Sequence, residues 1–136
     1  MIFYDLILKK DSKNIHALID KGTTLQNLGR IKSAIRSYDK ALDISPDNID
    51  ALVNKGSAFH LDKKYSDAIS CYDRALKIDK KCPMALAYKG LSLAELGQLK
   101  EAITYFKNAL SIDKHYALAQ LSKDTAQDLL KSLQGK

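Results

Sequence analysis

Reactive side chains are scarce in this chain of 136 residues, which has two cysteines, three histidines and no tryptophan. Cys71 and Cys82 form no close ligand pair, which argues against a cysteine metal site or a disulfide framework and leaves two reduced structural thiols. There is no phosphate-binding glycine loop and no His-Glu-x-x-His pattern, so the common routes to catalysis are missing. The expectation is a non-enzyme with no cofactor and no metal. No apolar run approaches the roughly 20 residues of a membrane span. Met1 to Lys10 also lacks the charged, apolar, small order of a secretory signal, so a cytoplasmic setting is expected.

Acidic residues are in the minority, 16 against 22 lysines and arginines, giving a formal charge of +6. The lysines are spread along the whole chain, which solubility explains as well as attraction to an anionic partner does. The densest basic strip is Arg74, Lys77, Lys80 and Lys81. Asp73 and Asp79 interrupt it and no aromatic ladder accompanies it, so it reads as a solvated helix face rather than a nucleic-acid site. With 46% hydrophobic and 28% charged residues, the composition is that of an ordinary globular protein.

What the sequence does contain is a period of 34 residues. Lys21-Gly22 returns as Lys55-Gly56 and Lys89-Gly90, Ala34-Ile35 as Ala68-Ile69 and Ala102-Ile103, and Ala41-Leu42 as Ala75-Leu76 and Ala109-Leu110. A fixed period over three copies implies stacked units, each burying its apolar face on a neighbour. The copies are 15–48, 49–82 and 83–116, and each holds two helical patterns.

The first pattern carries Ala17, Leu18, Gly22, Leu25 and Leu28 at spacings of three and four; the second carries Ile31, Ala34, Ile35, Tyr38, Ala41, Leu42 and Ile44. Gly29 and Gly97 suit the left-handed residue that ends a first helix, where the middle copy has Lys63. Asn14 and Asn48 suit N-caps, Ser66 suits the N-cap of a second helix, and Pro83 suits a first turn. Gly22, Gly56 and Gly90 lie mid-helix, where glycine costs about 1 kcal/mol against alanine. Their retention implies close approach of another backbone, with Ala34, Ala68 and Ala102 as the matching small surface. Lys21, Lys55 and Lys89 are read as packing their stems while their ammonium groups reach water.

These residues resemble the tetratricopeptide-repeat family, whose unit carries large, Gly, large, Ala, aromatic, Ala and Pro in order. Copy one reads Leu18, Gly22, Leu25, Ala34, Tyr38, Ala41, Pro46. Copy two reads Leu52, Gly56, Phe59, Ala68, Tyr72, Ala75 with Lys80 at the proline, and copy three reads Leu86, Gly90, Leu93, Ala102, Phe106, Ala109 with Lys114 there. Asn-Lys-Gly at 54–56 and Tyr-Asp-Lys-Ala-Leu at 38–42 look like prokaryotic or archaeal members. The resemblance implies an all-α, right-handed helical-repeat solenoid of antiparallel helix pairs, with the first helices lining a concave face.

Residues 117–136 then read as a C-terminal solvating helix and tail. Ala119 and Ala126 keep the small positions that face the preceding repeat, while Gln120, Asp124 and Gln127 replace the positions that would face a partner helix. Residues 1–14 hold the second helix of an incomplete repeat, with Tyr4 in register with Tyr38. Ile2, Phe3, Leu6 and Ile7 make that helix apolar nearly all round. Such a helix seeks cover from a second protomer, from a longer array or from its own chain.

The stripe expected to stay free on the first helices is His16, Ile19, Thr23 and Gln26, then Asp50, Val53, Ser57 and His60, then Met84, Ala87, Leu91 and Ala94. Leu118 and Leu121 extend its apolar end. That stripe points to a protein or peptide partner, a helix or an extended segment, rather than to nucleic acid or a membrane. The alternative is that the tail of the last helix, or a neighbouring molecule in a crystal, covers these apolar residues. One subtype of the family grips chaperone carboxylate ends through lysine, arginine and asparagine. The corresponding positions here are Ile19, Thr23, Asn54, Met84 and Tyr88, and only Asn54 fits. His16, His60 and His115 stand at different heights of the repeat, which argues against a shared metal.

Overall fold

The computed structural model describes residues 1–135. Among these it has eight helices and no strand: α1 (Ile2–Lys10), α2 (Ile15–Asn27), α3 (Ile31–Ile44), α4 (Ile49–Leu61), α5 (Tyr65–Ile78), α6 (Pro83–Glu95), α7 (Leu99–Ile112) and α8 (Ala117–Gln134). The fold class is the all-α helical repeat. Two compact units divide the chain, Met1–Cys71 and the residues from Tyr72 onward, so the boundary falls inside α5.

In the first unit α1 packs on α2, α2 on α3, and α3 on α4; α2 also touches α4. Asn14 and Asn48 cap α2 and α4 by accepting hydrogen bonds from the Ala17 and Ala51 amides at 3.0 and 2.9 Å. Pro83 occupies the first turn of α6. Ser66 caps nothing, because α5 begins one residue earlier, at Tyr65.

The turns after α2, α4 and α6 share one geometry. Gly29 and Gly97 take φ of 79° and 82°, and Lys63 takes 60° in the same place. The following amides, of Arg30, Lys64 and Gln98, each donate to the carbonyl five residues back, on Leu25, Phe59 and Leu93, at 2.9 Å. The middle copy therefore keeps the turn and accepts a left-handed lysine, at about 1 kcal/mol.

The close approach at Gly22 and Gly90 is made by a ring rather than by a backbone. A Cβ on Gly90 would stand 2.5 Å from Cε1 of Phe106, and one on Gly22 would stand 2.7 Å from Cδ1 of Tyr38. Both rings are buried, which fixes them against the missing methyl. In the second unit α6 packs on α7, and α7 and α6 both meet α8. Leu86, Ala87, Ala109 and Ala119 form a buried cluster there, flanked by Leu76, Tyr105, Leu110 and Tyr116. Burial, then the charges of Tyr88, Cys82 and Asp113, push the Tyr116 hydroxyl up to about 12.

Candidate functional site

The expected free stripe is only partly free. Ile19, Val53 and Ala87 are buried, at 8, 3 and 0% exposure, whereas Leu121, which holds the same register in α8, is 68% exposed. For Ile19 and Ala87 the reason is visible: α2 touches α4, and Ala87 packs with Ala119 of α8. On α2 and α6 this position is turned to the core rather than to a partner.

In the first unit the polar members of the stripe satisfy one another. The Tyr38 hydroxyl donates to Oε1 of Gln26 at 2.9 Å, and the Gln26 amide donates to Oγ of Ser57 at 3.2 Å, joining α3, α2 and α4. Burial raises the Tyr38 pKa, opposed by its hydrogen bond with Thr23. The Thr23 hydroxyl donates to the Ile19 carbonyl, and the Asn54 amide donates to the Asp50 carbonyl. His16, Thr23 and Asp50 are the exposed polar residues of this unit's stripe, and half-buried His60 stands edge-on to Tyr65.

The second unit presents a different surface. Met84 is exposed, Leu91 and Leu118 are half-buried, and half-buried Tyr88 meets the edge of Tyr72 with ring centroids 6.0 Å apart. Leu91, Ala94, Leu99, Phe106, Leu121 and Leu129 line a cleft of about 400 Å³, whose lining also includes Glu95, Ser122, Thr125 and Ala126. Leu99 and Leu129 were missed from sequence. Leu129 was legible, since it lies two turns beyond Leu121 on the same flank of α8. The cleft can take an apolar side chain or a short segment of one.

Two further features bear on the site. On α1, Ile2, Phe3 and Leu6 are exposed and Ile7 is half-buried. The repeat-glycine lysines reach aspartates rather than open water: Lys21 pairs with Asp5 at 2.7 Å, Lys55 with Asp39 at 2.7 Å, and Lys89 with Asp73 at 2.6 Å. Each pair joins a first helix to the second helix before it. Burial works to lower the Lys89 pKa, but hydrogen bonds to Asp73 and Tyr105 outweigh it and raise it. The hydrogen bond from Lys21 holds the Asp5 carboxyl below its usual range. Among the described residues no three His, Cys, Asp or Glu side chains converge as metal ligands, and no helix is long and apolar enough to cross a membrane.

The fold has counterparts in solved structures. The crystal structure of MamA matches at 26% identity and a TM-score of 0.80, over 92% of this chain and 73% of that one. The first TPR of Spaghetti (RPAP3), solved bound to the HSP90 peptide SRMEEVD, matches at 25% identity and a TM-score of 0.81, over 88% of this chain and 95% of that one. The first TPR domain of human RPAP3 shares the fold, with a TM-score of 0.84 at 24% identity over 90% of this chain and 96% of that one. No curated protein sequence matches this chain. Two sequence models of the tetratricopeptide repeat match, over residues 13–81 and 63–117. Since the first of these alone spans just over half of the sequence, the chain belongs to the tetratricopeptide-repeat family.

Proposed function

We propose that this protein is a non-catalytic, cytoplasmic interaction module of three repeats, 15–48, 49–82 and 83–116, that binds an apolar side chain or short peptide segment of a partner protein. The observation that carries the reading is the cleft beside α8, where Leu121 stands 68% exposed next to Leu91, Leu99 and Leu129. Apolar side chains converging on open space lower their free energy by gaining a partner, at about 25 cal/mol per Å² buried. The peptide-bound relative supports peptide binding as a use of this fold. It does not carry its ligand across, because Ile19, Thr23, Met84 and Tyr88 supply no cations for a carboxylate.

The test is a Leu121→Asp protein titrated with a peptide selected on the wild-type protein. Leu121 is mostly exposed, so the fold and melting temperature stay unchanged, while affinity falls about tenfold or more. Undiminished binding by Leu121→Asp refutes this use of the cleft.

A second reading, self-association through α1, rests on the exposure of Ile2 (78%), Phe3 (62%) and Leu6 (59%). Sedimentation of wild-type protein against a Phe3→Asp, Leu6→Asp double variant tests it. An identical oligomeric state in the two removes the reading.

A further inference from the structure

The fourth turn of the repeat breaks the charge pattern of the first three. Asp5, Asp39 and Asp73 each pair with a lysine sixteen positions on, at Lys21, Lys55 and Lys89. One period later these positions hold Lys107 and Lys123. A lysine therefore stands where the three preceding copies hold the aspartate, sixteen positions before another lysine. Neither lysine has an ion-pair partner among the described residues.

Lys107 opens onto a cleft of about 450 Å³ between α7 and α8, lined by Lys100, Lys107 and Lys131 around Ile103 and Leu130, with Thr104, Gln127 and Gln134 completing it. No acidic residue lines it. Leu130 is nine residues from Leu121, which at about 100° per residue places it on the opposite side of α8. This cleft is therefore a different surface from the one beside Leu121.

We propose that the α7–α8 cleft binds an acidic segment of a partner protein, with carboxylates on Lys100, Lys107 and Lys131 and an aliphatic side chain on Ile103 and Leu130. Charge complementarity sets the sign of the partner. The apolar floor favours a peptide over nucleic acid, because no aromatic ring lines the cleft to stack a base. Another repeat helix fits poorly. The position that receives an aromatic ring at Gly22 and Gly90 is Asp124 in α8, which carries the Cβ that such an approach excludes at those glycines.

The test uses fluorescence anisotropy with a labelled peptide of repeated Leu-Glu-Glu units, beside the same peptide with lysine for glutamate and beside oligothymidylate. The glutamate peptide is expected to bind saturably, more weakly as salt rises, and in preference to the other two probes. Lys107→Asp restores the residue of the other repeats and its pairing with Lys123, so it folds with an unchanged or higher melting temperature. It is nevertheless expected to weaken binding about fivefold. Leu121→Asp leaves this binding unchanged. Three results would each overturn the proposal: no saturable binding of the glutamate peptide, equal binding by Lys107→Asp, or tighter binding of oligothymidylate.

Discussion

Substituting Gly90 by alanine sets two known effects against each other. Alanine stabilises a helix interior by about 1 kcal/mol relative to glycine. The added methyl, however, would stand 2.5 Å from Cε1 and 2.8 Å from Cδ1 of Phe106. Phe106 is 1% exposed and cannot swing aside, so the methyl forces a shift of α6 against α7. Overpacking of this kind costs about 1–3 kcal/mol, and the larger end applies when a rigid ring rather than a flexible chain end must move. The balance is a net loss of about 1–2 kcal/mol, equivalent to a fall in melting temperature of roughly 3–7 °C for a chain of this length. Thermal unfolding followed by circular dichroism reads this directly. The control is the same substitution in a Phe106→Ala background, where the obstructing ring is gone. There Gly90→Ala should become stabilising by about 1 kcal/mol, the helix-propensity term alone. A rise in melting temperature for Gly90→Ala in the wild-type background, or the same sign in both backgrounds, refutes the assignment of the ring as the reason for the glycine.

The remaining predictions concern a turn and a buried hydroxyl. Lys63→Gly relieves a left-handed lysine at φ 60° and pays back part of the gain in unfolded-chain entropy, so it should stabilise by about 0.5 kcal/mol; denaturant unfolding with an unchanged slope checks this. The folded Tyr116 pKa of about 12 exceeds the ordinary tyrosine value of about 10, so the folded state holds the proton more tightly. Its contribution to stability is complete below about pH 10 and is lost as pH rises toward 12. Tyr116→Phe removes this dependence, and alkaline melts of the two proteins should diverge only above about pH 10.

The helices were legible because packing inside one repeat repeats its chemistry. Ala34, Tyr38 and Ala41 recur in register and are all buried. The surface was less legible, because it depends on what the neighbouring repeat does. Ile19 and Ala87 look free on the helix that bears them and are buried beside a neighbouring first helix, whereas Leu121 at the same register of α8 stays exposed. The lysine beside each glycine could have been paired in advance, since Asp5, Asp39 and Asp73 keep the same period, but a reading confined to each repeat separates the two partners. Gly22 and Gly90 are sites of close approach, as their retention in a helix suggested, while the approaching group is the aromatic ring sixteen residues on rather than a backbone.

The aspartate–lysine pair also says where this chain can be cut and rejoined. Each pair spans the junction between one repeat and the next, whereas Gly29, Lys63 and Gly97 lie inside a repeat. Chimeras spliced at those inner turns would inherit every aspartate together with its own lysine. Chimeras spliced at Asn48 or Cys82 would draw the two from different parents. The exchangeable module is therefore a second helix followed by the next first helix, displaced by half a period from the unit that the sequence alignment displays.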